Sequence, residues 1–239
     1  MSTSVSETAM IADDCVLGLN VVIKDRVKIG QGCEIGDGVV IFDDTTIGEG
    51  VSIEANSVIG RQPKSGKNST RRVSPMPPLE IGNGVIIGAN TVIYAGTVLE
   101  DDVMVADLAS IREGCRIRKA AIIGRSVMVE CHAEIGERTK IQTQSHITGD
   151  MVVEEDVFFG AQVVTMNDKY MGTKGDYYMG PRVKRGAAVG CNATILPGVT
   201  VGEDAIIGAG SVVVKDVPDG ETHVGLPAKK IEKGTEAQV

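Results

Sequence analysis

From Ile81 to Thr165 an apolar residue recurs at every sixth position, and only Phe159 and the closing Thr165 depart from the aliphatic type. Ile81, Ile87, Ile93, Leu99, Val105, Ile111, Ile117, Ile123, Val129, Ile135, Ile141, Ile147 and Val153 open the other hexads, often with Gly next and a small residue or Val four places on. A period of six does not fit a helical stripe of 3.6. It agrees with strand alternation, because the first and fifth residues of a hexad both face inward. The pattern predicts an all-β chain folded as a parallel β-helix, its short strands wound around one core and stacked at about 4.8 Å per rung. Three hexads close a coil, so residues eighteen apart lie above one another, as in the column Ile93, Ile111, Val129, Ile147 and Thr165. The length suits about ten such coils in a single domain, 1–239.

The rhythm also runs from Ile11 to Ile59 and then stops. Residues 61–80 are proline-rich and carry Arg61, Lys64, Lys67, Arg71 and Arg72 against the single acid Glu80, which predicts a projecting loop able to bind phosphate. A second break, 166–182, holds Tyr170, Tyr177 and Tyr178 and predicts a ligand-binding or subunit-clasping loop. Val183, Val189, Ile195, Val201, Ile207 and Val213 restore the period. Residues 218–239 then leave the helix as a short cap, helical or extended around Ala228 to Lys233, over the last coil.

Composition sharpens this picture. Thirty glycines fit tight corners, and an aromatic content of 3% with no Trp fits a narrow core. A formal charge of -8 argues against nucleic acid and anionic membranes as partners. No apolar run is long enough to span a bilayer, and the N-terminus lacks signal-peptide features, so a cytoplasmic location is expected. Cys15, Cys33 and Cys115 fall at fifth hexad positions and Cys131 and Cys191 at third positions, with no CxxC spacing; they read as small packing residues. The three histidines supply no converging set for zinc.

Chemistry concentrates on one corner. At the second hexad position, where Gly is common elsewhere, one column reads Tyr94, Arg112, Glu130, Thr148 and Met166 and leads into the tyrosine loop. Arg112 and Glu130 are neighbours one rung apart. His132 has Asp150 eighteen residues on, and a carboxylate one rung away would raise the basicity of the imidazole. His146, beside the Ile147 corner, is a second candidate base, and His223 in the tail is expected to be exposed.

The ending LPGVTVGEDAIIGAGSVVVKDVP (196–218), followed by GLPAKKI (225–231), resembles the hexapeptide-repeat acyltransferases that use coenzyme A. Within that superfamily the run ADLASIREG (106–114) and the sequence Asn167, Asp168, Lys169, Tyr170 are similar to those of nucleotide-sugar N-acyltransferases. The resemblance implies a left-handed helix, a homotrimer, and transfer of an acetyl or other short acyl group from acyl-CoA to the amine of an amino-deoxysugar carried on dTDP or UDP, without a metal.

By the same resemblance, coenzyme A is expected along the C-terminal coils, on backbone around Gly190, Ala209 and Gly210, with Lys215 and Lys229 at its phosphates. The nucleotide is expected on Tyr170, Tyr177 and Tyr178, with Arg61, Lys64, Arg71 and Arg72 for its pyrophosphate. Asn167 and Asp168 would orient the sugar, beside Lys169, and Glu130 or His132 would accept a proton from the amine. A deprotonated amine attacks a thioester directly, so neither a Ser-His-Asp set nor an acyl-enzyme is required. Two other readings stay open: O-acetyl transfer to a small alcohol or sugar, and a carbonic-anhydrase-like or structural β-helix.

Overall fold

The computed structural model describes residues 3–69, 71–175 and 177–231. Two-residue strands, one per hexad, build a left-handed parallel β-helix with three flat faces, and there is no helix among the described residues. The first sheet stacks Ser4–Val5, Val22–Ile23, Val40–Ile41, Val58–Arg61, Val92–Tyr94, Ser110–Ile111, Met128–Val129, His146–Ile147, Val164–Thr165, Thr194–Ile195 and Val212–Val213. The second and third sheets hold ten and twelve strands. Register follows the spacing of eighteen, with Ile93 opposite Ile111, Ile111 opposite Val129 and Val129 opposite Ile147. The stack is one coil longer than the spacing suggests, because Ser4–Val5 opens a coil ahead of Ile11.

The first and fifth hexad residues fill the core, and Phe159, fully buried, is its largest member. At several coils where the fifth residue is Ser or Thr, its hydroxyl bonds a carbonyl of the next coil, as Ser145 does to Gly160 O at 3.0 Å and Thr139 to Glu154 O at 2.8 Å; the buried Thr45 hydroxyl has no such partner among the described residues. The corners are laddered as well. The fourth hexad residue turns with positive φ, and its N–H reaches the coil before it: His132 N to Glu113 O and Asp150 N to Cys131 O, both at 3.0 Å. These bonds offset the roughly 1–2 kcal/mol that a non-glycine residue loses in the left-handed region.

Both breaks in the period are loops, and both leave from the first sheet, after Val58–Arg61 and after Val164–Thr165. Gly60 starts the first exit as a β-bulge, with φ of 83°, that shifts register between Ile59 and Arg61. It must be glycine, because a Cβ there would collide with the buried hydroxyl of Thr45. The C-terminal cap is extended, with Thr222–Val224 joining the third sheet and Lys229–Lys230 pairing antiparallel to it. Its last part, 232–239, lies outside the described residues.

Candidate active site

The two loops depart from one corner, five rungs apart, a separation of about 24 Å at the usual strand spacing. They meet along that corner, where Arg71 of the first lies over Tyr178 of the second, and border an open cleft of about 470 Å³. The first loop is anchored at its base by Gln62, whose amide exchanges two 2.9 Å hydrogen bonds with the backbone of Met76. The Met76 side chain lies across Gly96 and Gly114, where φ is positive and a Cβ at Gly96 would stand 2.6 Å from the methionine methyl. Farther out, Arg71 reaches Asp150, with Nη2–Oδ2 at 2.5 Å and Nη1–Oδ1 at 3.4 Å. Arg71 also donates to Cys131 Sγ at 2.9 Å and lies over the Tyr178 ring of the second loop at 4.9 Å.

The wall between the loops is the corner column. Arg112 forks onto Glu113 through Nε and Nη2, at 2.8 and 2.9 Å, while its Nη1 stands 3.5 Å from Glu130. Tyr94 sits between two guanidiniums, Arg61 at 5.1 Å and Arg112 at 5.4 Å. His146, half-buried on the first sheet, places Nδ1 3.2 Å from Thr165 O. A carbonyl only accepts, so Nδ1 carries a proton, and in the neutral imidazole the lone pair is then on Nε2. Asn167 donates to Gly149 O at 3.1 Å. Asn68, Ser69 and Thr148 complete the polar lining.

Charge in the cleft is nearly balanced. Arg71 and Arg112 face Glu113, Glu130 and Asp150, two cations against three carboxylates, which leaves one negative charge. Its hydrogen bonds to Glu113 hold Arg112 charged more firmly than usual. Partial burial opposes the charge on Arg71, but the bonds to Asp150 and Cys131 outweigh it. Burial pushes the Cys131 thiol up, and Arg71 offsets this only in part, so Cys131 is no thiolate nucleophile at neutral pH.

The structure thus gathers Arg71, Arg112, Glu130, His146, Asn167 and Tyr178 in one cleft. Several expectations change. Asp150 is bound by Arg71 and not by His132, whose exposed ring lies beside Gly114 and does not line the cleft. Asp168 folds its own loop, accepting from Tyr170 N at 2.8 Å and Gly172 N at 2.6 Å, and is not among the residues lining the cleft. Of the expected pyrophosphate cations, Arg61 is stacked on Tyr94 and Arg71 is ion-paired. Arg72 closes the loop tip onto the carbonyls of Gly66 and Lys67, and Lys64 is exposed there. Tyr170 and Tyr177 pair at 5.6 Å, with Lys174 over Tyr170, and Lys169 is exposed beside them. His223 is half-buried in the cap and bonded to Glu221 at 2.9 Å.

At the C-terminal coils, the N–H groups of Gly190 and Gly210 are committed to the rungs, bonding Ile207 O and Cys191 O at 2.8 Å. The Ala209 N–H makes no hydrogen bond among the described residues, so Ala209 is the amide donor left of that trio. Lys215 and Lys229 are exposed. Gly190, Ala209 and Gly210 lie where the third sheet joins the first, whereas Lys215 follows Val212–Val213 and stands, like the cleft, where the first joins the second. Glu113, only 2% exposed, was not legible as a site residue; its one signal is an acid at a turn position where neighbouring coils carry Ala95, Cys131 and Gly149.

Comparison with known proteins agrees with the fold. Residues 180–215 match the model of the bacterial transferase hexapeptide (six repeats), 78–106 that of the hexapeptide repeat of succinyl-transferase, and 2–74 that of the GMPPB C-terminal domain. The chain resembles the hexapeptide-repeat acyltransferases. Among individual proteins, it is 36% identical over 182 residues to the bifunctional protein GlmU of Thermotoga sp. (strain RQ2), covering 76% of this chain and 38% of that relative. It therefore spans well under half the length of the curated relatives it matches first. The crystal structure of LpxA, a UDP-N-acetylglucosamine acyltransferase from Bacteroides fragilis, superposes with a TM-score of 0.53 at 16% identity, covering 96% of this chain and 72% of that one.

Proposed function

We propose that the protein is an acyl-CoA-dependent N-acyltransferase that transfers an acetyl or other short acyl group to the amine of a nucleotide-linked amino-deoxysugar. The observation that carries this reading is the cleft itself: large enough for a sugar, flanked by two loops, one negative charge in excess, and lined by a histidine whose Nδ1 is tied to a backbone carbonyl. The relatives named above support the transferase class.

Glu130 receives the protonated amine, and His146 Nε2, or Glu130 itself, takes the proton. The nitrogen lone pair then forms the N–C bond to the thioester carbonyl, the C–S bond breaks, and the second N–H proton passes to the departing sulfur, so that coenzyme A leaves as the thiol while the first proton goes from the base to water. No side chain is acylated, in keeping with the protonated Cys131 thiol. The cleft's negative charge disfavours a diphosphate inside it. The nucleotide end therefore lies outward, against Lys64 and Arg72 at one loop tip and Tyr170, Tyr177 and Lys174 on the other. Acyl-CoA lies on the C-terminal coils, against Ala209 and Lys229, with Lys215 on the adjoining corner. Ala209 and the cleft are on different corners of the prism, so a homotrimer that sets one subunit's Ala209 edge against another's cleft would complete the site.

A thiol-release assay with acetyl-CoA and a panel of dTDP- and UDP-amino sugars tests this reading. Release with the amino sugars and none with their hydroxyl counterparts is the expected result. A hydroxyl acceptor needs a base more than an amine does, and His146 could serve one; release with alcohols alone would therefore replace N-acyl with O-acyl transfer. No release with any acceptor overturns both.

A further inference from the structure

Three carboxylates stand at the cleft, and two are fully claimed. Asp150 gives both oxygens to Arg71, and Glu113 gives both to Arg112. Glu130 differs. Its one contact among the described residues' side chains is Arg112 Nη1 at 3.5 Å to Oε2, the outer limit of a hydrogen bond, and Oε1 has no partner among them. The difference originates in Glu113. A guanidinium offers its best bidentate geometry once, and Arg112 spends it on a buried carboxylate next to it in sequence. Tyr94 covers the same guanidinium and limits its swing.

We infer that Glu113 is a positioning residue: it holds Arg112 back from Glu130 and so keeps Glu130 open to a cationic amine. This rests on the reading of the cleft as an amine-acceptor site. Without Glu113 the nearest strong acceptor for Arg112 is Glu130 itself, and the fork would close onto it. The other groups facing Glu130 are Arg71, held by Asp150, the thiols of Cys131 and Cys115, and His146 from the following coil. Arg71, the one guanidinium among them, is tied to Asp150 and so does not replace Arg112 in that role.

The test measures amine binding without any acyl-CoA, by NMR amide shifts at Thr148 and Asn167, with glucosamine as the probe and uncharged N-acetylglucosamine as the control. Wild type and Glu113→Gln are compared with the double variant Arg112→Gln/Glu113→Gln. Glucosamine binds wild type and not Glu130→Gln. Glu113→Gln weakens it about tenfold, and the double variant recovers most of that loss, because no guanidinium remains to occupy Glu130. A simple structural defect from losing the buried carboxylate would persist in the double variant. Glu113→Gln binding as tightly as wild type, a double variant as weak as the single, or no glucosamine binding by wild type would each overturn the inference. Bound glucosamine without thiol release from any acyl-CoA would instead preserve the role of Glu113 and remove acyl transfer.

Discussion

Arg71 and Asp150 lie 79 residues apart in the chain, yet their Nη2 and Oδ2 atoms meet at 2.5 Å. The contact carries the first loop across three coils and fixes it over the cleft. Both side chains are about one-third exposed, so the pair contributes at most about 1 kcal/mol to global stability. Arg71→Met should therefore leave the melting temperature nearly unchanged while speeding hydrogen exchange in 62–79 and raising KM for the acceptor alone. A large drop in melting temperature with unaltered exchange in the loop would show that the contact is structural rather than a latch.

Turnover should separate the histidines. Glu130→Gln and His146→Asn are expected to lower kcat by about 10- to 1000-fold, the usual range for acid-base groups, while His132→Asn, outside the cleft, costs much less. The check is single-turnover kinetics with the true acceptor. If His132→Asn proved the most damaging of the three, the reacting amine would have to approach beside Gly114, outside the cleft.

The loop tip gives a third expectation. Lys64→Ala with Arg72→Ala removes cations facing away from the cleft and should raise KM for a nucleotide-linked acceptor about tenfold, sparing both acyl-CoA and a free amino sugar. Equal effects on the free sugar would place the tip's influence on the fold of the loop.

Lys215→Ala with Lys229→Ala should weaken coenzyme A binding in calorimetry by tenfold or more, on the scale of losing two phosphate contacts. Acceptor binding should be unaffected. Unchanged coenzyme A affinity would move the donor to another edge.

Cys115 provides a pH test of the core. Burial pushes its thiol up from 9.0 to about 12, and its Sγ donates to Glu130 O at 3.1 Å. Because the folded value is raised, the stabilisation is complete below the unfolded value and is lost as pH climbs from about 9 toward about 12. Melting temperature should fall over that window, more steeply in the wild type than in Cys115→Ala, and a thiol reagent at pH 8 should label exposed Cys191 well before Cys115. Equal slopes for the two proteins would contradict this.

The fold was legible because a core aliphatic at every sixth position is a one-dimensional signal, and a register error would turn each strand inside out. The same regularity placed Arg112 beside Glu130 and located both loops. What spacing could not give was the path of a loop after it leaves the lattice. Arg71 looked like a phosphate ligand because sequence shows its charge and not its partner, and Asp150 looked like a partner of His132 because register reports which residues stack but not where their side chains turn. Glu113 escaped notice for the opposite reason: an acid in a turn is ordinary until its burial is known.

Both loops spring from one corner of a lattice whose coils interact only with their neighbours. In such a solenoid a change in one excursion is not transmitted to the rungs above and below. Acceptor choice can therefore be regrafted: either excursion can be lengthened, shortened or exchanged at the Gly60 and Thr165 exits while the C-terminal coils stay as they are. Chimeras cut at those two points should fold as readily as the parent and differ in which amine they accept, a division of labour that few compact α/β enzymes can offer an engineer.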